Sequence, residues 1–234
     1  MILRSENRYA SRLPNLCETA LYKFVTPRHA PARFGQYLLS LESGGGTSEP
    51  VAAGFENFLY VLEGDVPVQA DGIEFGLRPG GWCYLPPDMS FEFEARGDRT
   101  AELLWIKRKL EPWAGLGAPD ARSGDRDDQP FEQTPVPGLR RRELLDPADP
   151  RHDFNVSMLA FDAGVGLAQV EIHDEEHGLY MTAGAGSYHL DGNDHNVREG
   201  DFIYMAPYCP QSFAAADDGP SEYLLYKDVY RDGF

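Results

Sequence analysis

Hydrophobic residues occur in this chain as short runs separated by turn residues. Residues 58–62 (FLYVL) and 202–205 (FIYM) are rich in aromatic and β-branched side chains and are bounded by Gly, Pro or Asp, which predicts strands. The Asp-Gly pairs at 71–72 and 191–192 are hairpin signals. Several short strands at regular spacing favour an antiparallel barrel or jelly roll, so we expect an all-β protein.

The chain also repeats itself at a constant offset. Residues 34–109 align with residues 154–229, without a gap, at a shift of 120. For example, residues 59–64 (LYVLEG) lie opposite residues 179–184 (LYMTAG). A repeat of about 75 residues is a whole domain rather than a solenoid unit. The sequence therefore predicts two tandem jelly-roll β-barrels that arose by internal duplication.

The repeat and the local composition set the expected domain boundaries. Residues 115–129 (GLGAPDARSGDRDDQ) have the composition of a linker. The expected divisions are an N-terminal arm (1–33), an N-terminal domain (34–110), an interdomain linker (111–150) and a C-terminal domain (151–234).

Charge and composition narrow the expected partners. The net charge of −17 argues against nucleic acid and anionic membranes and leaves small ligands and metal cations open. The three cysteines are far apart and odd in number, which fits a reducing compartment. The N-terminus has no apolar run of the signal-peptide kind, and no stretch approaches the roughly 20 apolar residues that span a bilayer. We therefore expect a cytoplasmic protein.

Four polar residues of the second repeat form a candidate metal site: Glu171, His173, His177 and Gln211. Residues two apart in a strand share a face, so Glu171 and His173 would both point inward. Two imidazoles with a carboxylate and an amide oxygen suit Mn, Fe, Co, Ni or Zn better than Ca. No thiolate is present, which makes a structural zinc site a poorer explanation. A solvated charged strand is the alternative interpretation.

The spacing of these residues resembles that of the cupins, whose two motifs carry three histidines and a glutamate. Here Glu171 stands at the first histidine of the first motif, His177 at its glutamate, and Gln211 at the histidine of the second motif. Gly184 and Gly200 keep the cupin spacing. The resemblance implies a bicupin in which the C-terminal domain binds metal through a permuted ligand set.

The first repeat provides an internal control for this assignment. Subtracting 120 from the four candidate ligands gives Val51, Ala53, Asn57 and Phe91, of which only Asn57 could touch a metal. We therefore expect the N-terminal cupin to lack metal ligands and to serve as a structural or interface partner.

A permuted ligand set of this kind resembles the (S)-ureidoglycine aminohydrolases of purine breakdown. The similarity includes residues 200–211 (GDFIYMAPYCPQ) and 223–228 (YLLYKD). It implies a manganese enzyme, with another divalent transition metal as the alternative, that hydrolyses (S)-ureidoglycine to (S)-ureidoglycolate and ammonia in allantoin catabolism. Lys227 would bind the substrate carboxylate, and Tyr188 and Tyr223 would contact the ureido group or water. A solvent-exposed strand end for Lys227 and plain packing for the tyrosines are the alternatives.

Two other functions compete with this one. A quercetinase-like dioxygenase would use the same metal to activate O2, and a non-catalytic cupin would only bind a small ligand. No helix-turn-helix segment accompanies the cupin repeats, which argues against a DNA-bound sensor. The expected ligand is a small ureido compound that carries a carboxylate, and because cupins often associate through sheet edges we expect a homo-oligomer.

Overall fold

A computed structural model describes residues 1–113, 115–146 and 148–229 of the chain. Position 114 and position 147 of the expected linker, and the last five residues of the expected C-terminal domain, lie outside the described residues. The described part is nearly all β. Its strands are β1 (Ile2–Leu3), β2 (Ala10–Ser11), β3 (Leu16–Val25), β4 (Gly35–Thr47), β5 (Glu56–Glu63), β6 (Val68–Ala70), β7 (Ile73–Phe75), β8 (Gly81–Leu85), β9 (Phe91–Phe93), β10 (Ala101–Arg108), β11 (Arg122–Asp125), β12 (Glu132–Gln133), β13 (Leu139–Leu145), β14 (Phe154–Phe161), β15 (His177–Ala183), β16 (Ala185–Leu190), β17 (Asn193–Arg198), β18 (Phe202–Met205), β19 (Gln211–Ala215) and β20 (Ser221–Asp228).

The chain divides into two compact units of the same topology. The first unit is Tyr9–Asp128, and the second combines Met1–Arg8 with the chain from Gln129 onward. The first unit has a seven-stranded sheet in the order β11-β8-β5-β10-β4-β3-β2 and a three-stranded sheet in the order β7-β6-β9. The second unit has the orders β1-β18-β15-β20-β14-β13-β12 and β17-β16-β19. The two jelly-roll units predicted from the repeat are therefore confirmed.

The sheets are open and do not close into the barrels that we expected. In each seven-stranded order the described residues leave two end strands, β11 and β2 or β1 and β12, that pair on one side only. Alternation of apolar and polar residues reports that one face of a strand is buried. It does not report whether the buried faces belong to one closed sheet or to two open sheets.

The segments expected to be an arm and a linker contain strands of both units. Residues 16–25 form β3 and pair with β4, while β1 pairs with β18 of the second unit. Within residues 111–150, β11 pairs with β8 of the first unit, and β13 pairs with β14 of the second. Of these strands, β1 and β11 are edge strands, which satisfy the backbone donors and acceptors of a neighbouring strand and require little hydrophobic patterning of their own. β3 and β13 lie one strand in from the other edge of each sheet.

Each unit has its own hydrophobic core on the inner face of its sheets. The core of the first unit includes Leu59, Phe91 and Trp105, and that of the second includes Leu179 and Phe213. The described helical segments are two 3-10 turns of three residues each, and neither is long enough to cross a membrane. The three cysteines are free.

Candidate metal centre

The candidate site draws side chains from both sheets of the second unit: His177, Tyr223 and Lys227 from the seven-stranded sheet, and Tyr188 and Gln211 from the three-stranded sheet. His177 is the first residue of β15, and its backbone pairs with Lys227 of β20 on one side and with Met205 of β18 on the other. Tyr223 lies on the same strand as Lys227, an even number of residues away, so both side chains point to the inner face. The register of β15 with β20 therefore brings His177, Lys227 and Tyr223 to one region of the sheet.

Glu171 and Gln211 face each other through backbone and side-chain hydrogen bonds. The amide of Glu171 donates to the carbonyl of Gln211 at 2.8 Å, and the amide of Gln211 donates back at 3.0 Å. Nε2 of Gln211 donates to Oε2 of Glu171 at 2.9 Å. The hydroxyl of Tyr188 donates to Oε1 of Gln211 at 2.5 Å. Residues 40 apart in sequence are thus locked into one polar group.

The two histidines lie side by side, and both are close to Glu175. Their ring centroids are 4.7 Å apart. Nδ1 of His177 lies 3.1 Å from the carbonyl oxygen of Glu175, and Nδ1 of His173 lies 3.2 Å from its carboxylate oxygen Oε2. The other carboxylate oxygen, Oε1, lies 3.1 Å from Nζ of Lys227. Glu175 therefore links both imidazoles to the ammonium group.

Burial sets the protonation of these groups. Desolvation lowers the pKa of His177 to about 4, so its imidazole is neutral near pH 7. Burial on its own would raise the pKa of Glu175, but the Lys227 ammonium holds that pKa below its ordinary value. Tyr188 and Tyr223 are buried, which raises the pKa of both phenols, so each keeps its proton as a hydrogen-bond donor.

All seven side chains predicted from the sequence line one cavity of about 190 Å³. Four leucines and one arginine complete its wall. The residues predicted from the sequence are Glu171, His173, His177, Gln211, Tyr188, Tyr223 and Lys227, and the additional ones are Leu159, Leu167, Leu179, Leu225 and Arg141. Within the described ranges, no group of three or more His, Cys, Asp or Glu side chains is drawn together closely enough to hold a metal ion. The candidate ligands share a cavity and do not form a closed coordination shell.

The donor set nevertheless fits a divalent transition metal. The Glu175 carbonyl occupies Nδ1 of His177, which leaves Nε2 of a neutral imidazole as the ligand atom. Nδ1 of His173 lies near the Glu175 carboxylate but makes no hydrogen bond, so the orientation of this second imidazole is not fixed in the same way. Glu171 and Gln211 add oxygen donors to the lining of the same cavity. Such a mixed nitrogen and oxygen set suits Mn, Fe, Co, Ni or Zn.

The equivalent place in the first unit has the same backbone pairing, but apolar residues stand at three of the four candidate ligand positions. Val51 and Phe91 form the same isolated β-bridge that Glu171 and Gln211 form in the second unit. Asn57 is buried there, and its Oδ1 accepts a hydrogen bond from Nε1 of Trp105 at 2.9 Å. Packed side chains therefore occupy this place in the first unit.

Two residues of the site escaped sequence interpretation, Glu175 and Arg141. Glu175 belongs to the acidic run 174–176, which reads as a solvated turn. Arg141 lies in the segment expected to be a linker, outside the aligned repeat. The repeat could have identified Arg141, because the shift of 120 aligns it with Leu21. The strand pairing agrees with this alignment: Leu21 pairs with Leu39 in the first unit, and Arg141 pairs with the equivalent Leu159 in the second. Extending the alignment toward the N-terminus would have exposed a charge at a core position.

Comparison with known structures places the fold among the cupins. The protein Ylba from E. coli superposes with a TM-score of 0.88 at 29% identity, covering all of this chain and 92% of that one. Oxalate decarboxylase from Bacillus subtilis, a protein with Mn(II) centres, superposes with a TM-score of 0.73 at 13% identity, covering 99% and 78% of the two chains. The chain is a bicupin, with one jelly roll in each unit.

Sequence comparison identifies the family. The AraC-like ligand binding domain family matches residues 168–227. The (S)-ureidoglycine aminohydrolase of Escherichia coli is 33% identical over 205 residues, which cover 86% of this chain and 77% of that protein. The (S)-ureidoglycine aminohydrolase of Arabidopsis thaliana is 31% identical over 232 residues, which cover 99% and 76%. The chain belongs to the (S)-ureidoglycine aminohydrolase family.

Proposed function

We propose that this protein is a metal-dependent hydrolase that converts (S)-ureidoglycine and water to (S)-ureidoglycolate and ammonia. In this reaction the carbon–nitrogen bond to the free amine breaks and a carbon–oxygen bond to water forms. The names of the Escherichia coli and Arabidopsis thaliana relatives support the substrate. The proposal includes purine breakdown as the pathway, a cytoplasmic location and a homo-oligomeric assembly.

The observation that carries the proposal is the convergence of seven predicted side chains on one cavity. About 190 Å³ is a volume that suits a small metabolite better than a drug-sized ligand. Its polar groups lie beside four leucines, which would exclude bulk water from the substrate. A ureido compound offers several hydrogen-bonding groups to such a wall.

Glu171, His173, His177 and Gln211 would hold the metal, and manganese is the ion that we propose. A bound divalent ion would orient the substrate and polarise water. The chain's own groups support this arrangement. The carbonyl of Glu175 fixes the imidazole of His177, Tyr188 holds the amide of Gln211, and Lys227 neutralises the charge of Glu175. The protonated phenol of Tyr223 remains as a donor toward the ureido group.

The experiment is an ammonia-release assay on protein reconstituted with manganese. Freshly prepared ureidoglycine should release ammonia faster with the enzyme than in its spontaneous reaction. No acceleration by protein that contains manganese would overturn the proposal. Oxygen consumption, measured in parallel, would instead favour the dioxygenase alternative.

His173→Ala provides the matching variant, because Ala53 occupies the equivalent position in the first unit. The variant should lose both bound metal and ammonia release while it keeps its thermal unfolding transition. Metal analysis by mass spectrometry on gently purified protein identifies the native ion in the same experiment.

A further inference from the structure

Arg141 places a guanidinium group at the wall of the cavity, from strand β13. Leu139 of β13 packs in the core of the second unit, and Arg141 is two residues further, on the same inner face. Its neighbours Arg140 and Arg142 point to the other face. Across the sheet, Arg141 pairs with Leu159, which pairs with Tyr223. All three side chains line the cavity.

The first unit shows what this position holds when no polar site is present. Its equivalent is Leu21, which is 2% exposed and belongs to the hydrophobic core. Turning a charged group toward a core costs free energy unless that group is paired or reaches water. The arginine occurs in the unit that carries the candidate metal ligands and is replaced by leucine in the unit that lacks them.

The contacts of Arg141 leave part of its guanidinium free to bind a ligand. Nε lies 2.5 Å from Oε1 of Glu143. Neither terminal nitrogen makes a hydrogen bond to any protein group in the described ranges, and the side chain is 40% exposed. The side-chain nitrogen of Lys227 lies 3.1 Å from Oε1 of Glu175, so at least one of its three N–H donors is directed to that carboxylate. A guanidinium can hold one carboxylate through Nε and another through its terminal nitrogens.

We propose that Arg141 is the specificity-determining residue that binds the carboxylate of the ligand in this cavity. The inference rests on the proposed function for the identity of the ligand as a ureido compound with a carboxylate. It transfers carboxylate recognition from Lys227 to Arg141 and leaves Lys227 to hold Glu175.

The test is a pair of equilibrium titrations by calorimetry on protein loaded with manganese. The probes are ureidoacetate, which lacks the leaving amine, and ureidoacetamide, in which the carboxylate is replaced by a neutral amide. Wild-type protein should bind the acid roughly 10-fold to 100-fold more tightly, the range of a hydrogen bond to a charged group. Arg141→Leu should bring this ratio close to one while bound manganese and the unfolding temperature are kept.

Controls make the outcome decisive. Arg140→Leu alters the other face of the same strand and should keep the wild-type ratio of affinities for the acid and the amide. Arg141→Gln is the substitute if the leucine variant fails to fold, and its ratio of affinities for the acid and the amide should also be close to one. A wild-type ratio near one, or a ratio that survives Arg141→Leu and disappears in Lys227→Met, would overturn the inference. Binding is read without turnover, so failure of the ammonia assay is a separate result and concerns the proposed function alone.

Discussion

The two units of this chain keep one backbone and fill it in opposite ways. The β-bridge between Val51 and Phe91 in the first unit reappears between Glu171 and Gln211 in the second. In the first unit this bridge holds apolar side chains within a core, and in the second it holds two hydrogen-bonded polar groups. The same strand pairing therefore supports either a packed core or a polar cavity, and the side chains alone decide which one forms.

One difference between the two units lies directly beside the candidate site. Trp105 of the first unit packs edge-on against Phe91, with ring centroids 5.8 Å apart, and its indole nitrogen bonds to Asn57. At the equivalent position the second unit has Leu225, which lines the cavity. A smaller side chain at this position leaves room for a ligand beside the candidate metal residues.

The strongest test of the comparison replaces one candidate metal ligand of the second unit with the equivalent residue of the first unit. His177→Asn, which copies Asn57, removes an imidazole that the structure holds neutral and oriented. Changes to residues that merely orient metal ligands cost 10-fold to 100-fold, so loss of the ligand itself should lower activity by more than about 100-fold. Ammonia release and metal content are the measurements.

His189→Asn is the control for this change, because His189 lies on β16 of the same unit and bonds to the exposed Asp194. It should keep both metal and activity. Retention of metal and activity by His177→Asn would show that the two units do not differ in the way proposed here.

The reverse change opens the first unit. Trp105→Leu removes the indole that packs on Phe91 and leaves the buried Oδ1 of Asn57 without its donor. A large-to-small change in a core of this kind lowers the free energy of unfolding by about 2–4 kcal/mol. Urea denaturation measures it. Activity per folded molecule should stay unchanged, and a stability loss below about 0.5 kcal/mol would mean that Trp105 is not the packing residue of this unit.

The sequence predicted the architecture better than it predicted the edges of the sheets. The shift of 120 predicted the strands of the two units, because buried faces and turn glycines leave periodic patterns, whereas the candidate site residues came from the cupin spacing and the family resemblance. The pairing of β1 with β18 could not be predicted from two residues, Ile2 and Leu3, since a sheet edge accepts almost any short extended segment. Arg141 was missed for a different reason, because a charged residue in a segment of linker composition looks like a surface group.

A third change fills the cavity while leaving every candidate ligand in place. Leu225→Trp copies Trp105 and puts an indole into a cavity of about 190 Å³. Since the ring takes the place of the ligand, affinity for ureidoacetate should fall by about tenfold or more, which corresponds to about 1.4 kcal/mol. Calorimetry measures the affinity, and metal content should be retained. Leu225→Met, which conserves volume, is the matched control and should bind as the wild type does. Undiminished binding by the tryptophan variant would place the ligand elsewhere.

The smallest expected effect on stability concerns one edge strand of each seven-stranded sheet, β11 in the first unit and β1 in the second. In the first unit the edge strand β11 makes four register pairs with β8. In the second unit β1 makes only two with β18. The shorter strand β1 is stabilised by an ion pair of the neighbouring Arg4, whose Nη1 lies 3.2 Å from the buried carboxylate of Asp201.

Arg4→Ala should lower the free energy of unfolding by about 1 kcal/mol, because Asp201 keeps the amides of Ser5 and Arg198 as donors and Arg4 is partly exposed. Urea denaturation of the full chain measures the change. Arg122→Ala, an exposed position on the edge strand of the first unit, should change stability by less than about 0.5 kcal/mol. Equal effects of the two substitutions would mean that the short edge strand of the second unit does not depend on its ion pair, and that backbone pairing alone holds both edges.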